Sequence, residues 1–257
     1  MLNKKNLIAA SIVSCCAISS PAWANSTEID WSGFYAGVEA GNRHIDASGI
    51  SCAADPNNPI GGTRGCDKAG SESWNGTAGN FHIGYNWETA SHLVAGIEAS
   101  INYADNDHSH DGFSQYGISH NTNKQNFSAD VKARLGYAFD KLLVYGAGGT
   151  TWMKVDTTKT QGACGDGNNP PNYSDANCST GPYTGVPLGT LNKSSDSRIG
   201  WTLGGGAELA LTKSISLRAE YVHADYGTFK FLYPSFNRVN TTKVKSDDVM
   251  AGLNYKF

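Results

Sequence analysis

The nine residues Val249–Phe257 constrain the chain most. Val249, Ala251, Leu253, Tyr255 and Phe257 alternate with Met250, Gly252, Asn254 and Lys256. A period of two with one apolar and one small or polar face is a β-strand. The sequence stops on the bare aromatic Phe257. A strand of this kind suits an outer-membrane barrel. There the last strand pairs with the first, and its aromatics belong in the interfacial girdle.

The opposite end agrees. Lys4 and Lys5 precede an apolar stretch from Leu7 to about Ile18, followed by Pro21-Ala22-Trp23-Ala24. This is the pattern of a secretory signal, residues 1–24, cleaved before Asn25. The stretch is too short and wrongly flanked for a membrane-spanning helix. A lipoprotein site at Ile12-Val13-Ser14-Cys15 is the alternative, and it would leave only a stub of apolar sequence ahead of it. Residues 25–257 then form one barrel domain. Loss of Lys4 and Lys5 leaves 18 basic against 23 acidic residues, a balance that excludes a nucleic-acid surface.

Four cysteines remain, in two equally spaced pairs, Cys52 with Cys66 and Cys164 with Cys178. An even count in an exported chain reads as disulfides, and local pairing is the simplest of the possible connectivities.

Eight strands alternate along the chain. Their apolar faces carry Phe34–Ala40, Thr77–Trp87, Leu93–Tyr103, Phe127–Phe139, Ile199–Leu209, Ile215–Tyr221 and the terminal strand, each read at every second residue. The fifth strand, about Leu142 to Thr157, alternates less cleanly. It is read with Leu143, Tyr145, Ala147, Thr151, Met153 and Val155 outward. Polar segments at about 48–73, 106–124, 158–196 and 230–243 are expected to be long loops, alternating with short turns. That asymmetry is the one expected of an eight-stranded antiparallel transmembrane β-barrel, with short periplasmic turns and long extracellular loops. Trp31, Phe34, Trp87, Phe139, Tyr255 and Phe257 are expected to form a periplasmic girdle.

The rival is a soluble barrel holding an apolar ligand, which needs the opposite polarity. Here the non-apolar face carries Glu39, Arg43, Glu98, Asp130, Lys132, Arg134, Glu208, Arg218, Glu220 and Lys256. The apolar face must see hydrocarbon, so these charges line the lumen. An eight-stranded bore is just wide enough for its own side chains. The expectation is a filled lumen of paired charges. A narrow ion path is the alternative.

Trp31-Ser-Gly-Phe-Tyr-Ala-Gly and Ala251-Gly-Leu-Asn-Tyr-Lys-Phe257, with the strands between, resemble the small outer-membrane β-barrel proteins of the Omp25/Omp31 and opacity-protein kind. The resemblance covers nearly all of the chain after residue 24. It implies the outer membrane of a Gram-negative bacterium as the location and the lipid bilayer as the permanent partner. It also implies a role as surface antigen, porin, adhesin or hemin binder. Tyr255 and Phe257 resemble the signal read by the barrel-insertion machinery.

Beyond the lumen, Asp107, His108, His110 and Asp111 place two histidines among carboxylates, a set able to take a transition metal or hemin. The alternative is a solvated acidic loop. No Gly-x-Ser-x-Gly element is present, and His44 with Asp46 reads as ordinary rim polarity, so no enzyme and no resident cofactor are expected. The functional expectation is a membrane-anchored protein that displays stapled loops to a host surface or hemin. A small porin and a loop-borne hemin or metal binder are the alternatives.

Overall fold

The computed structural model describes residues 29–55, 58–105, 108–114, 117–165, 173–174, 191–233 and 238–257. Residues 1–24 lie outside these. Ten strand segments follow in chain order. They are β1 (Gly33–Asp55), β2 (Asn58–Glu88), β3 (Leu93–Ala104), β4 (His108–Ser114), β5 (Gly117–Phe139), β6 (Leu142–Gly165), β7 (Tyr173–Ser174), β8 (Leu191–Ala210), β9 (Ile215–Tyr233) and β10 (Arg238–Lys256).

Eight of them close a ring, β1–β2–β3–β5–β6–β8–β9–β10 and back to β1, antiparallel at every step. The count differs from the expected eight by two short additions. β4 takes over as partner of β5 beyond the point where β3 stops, and β7 pairs with the last residues of β6. The terminal stretch does close the barrel: Val38 opposes Leu253, Ala40 opposes Ala251, and the Phe257 N–H donates to the Phe34 carbonyl at 3.0 Å.

Period-two alternation decides which residues face in. β3 alternates exposed and buried without a break. Outward apolar residues such as Val38, Ile97, Leu135 and Leu203 are each more than half exposed, while Glu98 between them is buried. A contiguous band of this size is not tolerated in water, so its solvent is hydrocarbon.

Three sequence expectations need correction. First, Leu143, Tyr145, Ala147, Thr151, Met153 and Val155 on β6 face inward and are all buried; Leu142 and Val144 face out. The turn at Asp140-Lys141 sets this parity. It pairs Phe139 directly with Leu142, and opposed residues share a face, so an outward Phe139 forces an outward Leu142. Second, the polar segments at about 48–73, 106–124 and 230–243 are largely strand rather than loop, and of the segment 158–196 only 158–165, 173–174 and 191–196, all strand, are among the described residues. β1 runs to Asp55 and β2 begins at Asn58; β9 runs to Tyr233 and β10 begins at Arg238. Beyond the apolar band the outward face meets water, so the apolar outer stripe disappears while the backbone ladder continues. Third, Trp31 is not part of an outer girdle. It is buried at the turn end of the bore, where its N–H donates to a Glu88 carboxylate oxygen at 2.8 Å and its indole N–H to the Asp140 carbonyl at 3.3 Å. Phe34, Trp87, Phe139, Tyr255 and Phe257 do face outward.

Cys52 and Cys66 oppose each other across β1 and β2 and are joined by a disulfide, with Cα atoms 4.1 Å apart. The bridge therefore locks the register of a hairpin arm standing beyond the apolar band. We expect peptide mapping without reductant to recover Cys52 linked to Cys66. Reduction should speed amide exchange and proteolysis within residues 48–73 while leaving β3, β9 and β10 protected; uniform loosening of the whole barrel would contradict this placement.

Candidate functional site: the lumen of the barrel

At mid-height the bore is filled by one ion network to which every ring strand contributes a side chain. Glu98 of β3 is its centre. Its carboxylate accepts from Arg218 Nη1 at 2.6 Å and Nη2 at 3.1 Å, and from the Tyr35 hydroxyl at 2.8 Å. Lys132 Nζ stands 3.1 Å away and Arg134 Nη1 3.4 Å away. Lys132 also meets Glu220 at 2.7 Å, and Arg134 meets Glu208 at 2.5 Å. Arg218 contacts Glu220 directly, and its Nε lies 3.2 Å from Glu39. The Arg134 guanidinium packs 3.8 Å from the centre of the Tyr145 ring, whose hydroxyl donates to Glu220 at 2.6 Å. His82 lies between Asn80 and Asn254, at 2.7 Å from each, and 3.1 Å from Arg218 Nη1.

Glycines on neighbouring strands make room for these groups. A Cβ on Gly37 would overlap the His82 ring, and one on Gly84 would overlap the Tyr35 phenol. A second cluster lies toward the hairpin end. Arg43 grips Asp248 with Nε at 2.9 Å and Nη2 at 2.6 Å, while Asp130 accepts from Ser100 and Asn102 at 2.7 Å. Between the two clusters a cavity of about 20 Å³ remains, room for about one water.

Apolar layers close both ends of this charged zone. At the hairpin end Ile45, Met153, Val155, Tyr226, Phe229 and Val244 pack together inside the ring, with Phe229 and Phe231 stacked at 6.3 Å. At the turn end Trp31 packs with Val94, Ala138, Leu143 and Ala210. Buried charges surrounded in this way are costly unless paired, and the geometry pairs them.

The ten charges named from sequence divide by height. Glu39, Glu98, Lys132, Arg134, Glu208, Arg218 and Glu220 meet in the central network, and Arg43 and Asp130 belong to the cluster beyond it. Lys256 lies below, where its ammonium reaches the Asp30 carbonyl. Sequence reasoning missed Asp248, which shares the face of Met250, and the polar partners Tyr35, His82 and Tyr145. Tyr35 and His82 were legible by parity with Glu39 and Gly84. Tyr145 was concealed by the inverted reading of β6.

Tyr255 and Phe257 lie on the outer wall of β10, their rings edge-on at 5.2 Å. β4 brings Asp111 opposite His120 and His110 opposite Asn121 in backbone register. Asp107 and the side chains of His108, His110 and Asp111 lie outside the described residues, as do Cys178 and the Cys164 side chain.

A closed antiparallel ring with an apolar outer wall and a charged interior is an integral membrane β-barrel. The family model described as outer membrane protein beta-barrel domain matches residues 8–257, and the chain belongs to this family. It is 29% identical to the 31 kDa outer-membrane immunogenic protein of Brucella melitensis, with 98% of this chain and 100% of that protein covered. It is 24% identical to the 25 kDa outer-membrane immunogenic protein of Brucella abortus, over 72% of this chain and 80% of the relative. Among solved structures, Neisserial surface protein A is similar at 15% identity and a TM-score of 0.42, covering 88% of this chain and 98% of that one. The protein is thus an outer-membrane β-barrel of the Omp25/Omp31 kind.

Removing one partner of a buried, hydrogen-bonded ion pair costs about 3–5 kcal/mol. Arg218→Ala is expected to destabilise the folded barrel by about that amount, read by urea titration in lipid vesicles. Lys154→Ala, which removes a half-exposed pair with Asp156, should cost about 1 kcal/mol or less. Equal effects would contradict the central place given to Arg218.

Proposed function

We propose that the protein is a membrane anchor with a closed lumen, whose function lies in the hairpins it holds above the outer leaflet. The observation that carries this reading is the three-layered filling of the bore. An apolar layer, the network around Glu98 and a second apolar layer follow one another along the axis. An ion entering from either end meets packed apolar side chains first, and these offer it no replacement for its water shell.

The hairpins support the second half of the reading. β1 with β2 and β9 with β10 continue as paired strands well beyond the apolar band, and the first pair is cross-linked by Cys52–Cys66. Pre-ordered arms of this kind present a surface whose ordering entropy has already been lost on folding, which favours recognition by an external macromolecule. In this reading residues 1–24 are removed on export, Tyr255 and Phe257 are presented to the insertion machinery, and the chain catalyses no reaction.

The test is conductance of the refolded chain, residues 25–257, in a planar bilayer, with insertion verified by protease protection. Silence is expected at every salt concentration. Discrete current steps proportional to salt would overturn the closed lumen and make the protein a small porin.

A further inference from the structure

The outer wall formed by β9, β10, β1 and β2 carries a polar surface above its apolar band. On β9, β10 and β1 its contiguous apolar band ends at Tyr221, Val249 and Ala40, with Ile50 standing apart further out. One row beyond the band, His223, Asp247, His44 and Asn75 stand side by side across the four strands. They are joined: Tyr221 donates to Asp247 at 2.5 Å, His223 Nδ1 is 2.8 Å from the same carboxylate oxygen, and His44 Nδ1 is 2.9 Å from Asn75 Oδ1. The next row is Asp225, Lys245, Asp46 and Ser73, and the one after it Thr228, Lys243, Ser48 and Ser71. Lys243 and Lys245 both lean on Asp225, at 3.0 and 3.9 Å.

Two kinks hollow this wall. The β1–β2 register slips between Gly49 and Ile50 opposite Gly70, which has φ of 100°, and the β9–β10 register slips at Val244/Lys245 beside Gly227, with φ of 75°. Bulges of this sort bend a strand and re-aim its side chains. Between them lies a hollow of about 530 Å³ lined by Ser48, Ile50, Ser71, Thr228, Thr241 and Lys243.

Hydroxyls, an amide, carboxylates and two ammonium groups on one outward surface make up a donor and acceptor set for a polyol bearing an anionic group. Its height selects the source. The surface is continuous with the lipid-facing band and begins where that band ends, so the molecules standing against it are the headgroups of the outer leaflet. We propose that this wall binds the phosphorylated saccharide headgroup of an outer-leaflet glycolipid. The sugar sits in the hollow against Ser48, Ser71 and Thr228, and Lys243 pairs with phosphate while the acyl chains descend over Val249 and Ala251. Lys245 and Asp225 act as positioning residues for Lys243.

The test uses the protein of residues 25–257 in phosphatidylcholine nanodiscs, titrated with rough lipopolysaccharide and, separately, with its deacylated headgroup. The double variant Lys243→Gln, Lys245→Gln and the hollow-filling variant Ser71→Leu should each weaken binding of both ligands about tenfold, the scale of one lost charge-assisted contact. Lys154→Gln, on the far wall beside Trp152, should bind as the unaltered protein does. Circular dichroism unchanged from the unaltered protein establishes that each variant is folded. Unaltered affinity in both wall variants overturns the proposal, as does an equal loss in Lys154→Gln, which would mean a diffuse charge effect. A cross-linker at Lys243 that captures a second copy of the chain instead of glycolipid would also overturn it.

Discussion

The carboxylate of Glu98 is the point on which the barrel closes. Three cations, Lys132, Arg134 and Arg218, and the Tyr35 hydroxyl converge on it from β5, β9 and β1. Each cation in turn holds a second carboxylate, so the strands are cross-braced through the bore as well as laced edge to edge. In a low-dielectric interior an unpaired member would be expensive. A one-residue slip of any strand would turn its charge outward into hydrocarbon, a far worse location. The network therefore penalises every register but one, and specificity of closure is the role its geometry supports best.

Small side chains are as necessary as charged ones. The bore of an eight-stranded ring cannot hold eight large residues in one layer. Gly37 and Gly84 give up their volume to His82 and Tyr35. The apolar layers above and below then exclude water from the network and strengthen each of its contacts. The two ends are built differently. The hairpin end uses strand residues of β1, β6, β9 and β10, whereas the turn end adds Trp31, carried on the segment just before β1 and held by Glu88 and Asp140.

The outer wall and the interior divide the chemistry of the chain. Inside, charges neutralise one another and leave little room for a solute. Outside, above the apolar band, one wall keeps hydroxyl, imidazole and ammonium groups on its surface, and the paired hairpins carry the ladder further from the membrane.

Much of this was legible in the residues. Period-two alternation in seven strands, the aromatic terminus and mixed charges on one face were enough to infer a closed membrane barrel with charges inside. Those signals are local, because a strand between hydrocarbon and a polar lumen must alternate wherever it crosses. Only the tertiary structure decided what depends on partners. The inward facing of β6 came from the Asp140-Lys141 turn, since its inner residues pack in apolar layers and look like an outer face when read alone. The hairpin arms came from backbone pairing, which leaves no apolar outer stripe once the outward face meets water. Trp31 went inside, and Asp248, Tyr35, His82 and Tyr145 joined the network, because barrel closure brings together residues as far apart in sequence as Arg43 and Asp248. Alternation assigns each residue a face; only closure assigns it a neighbour.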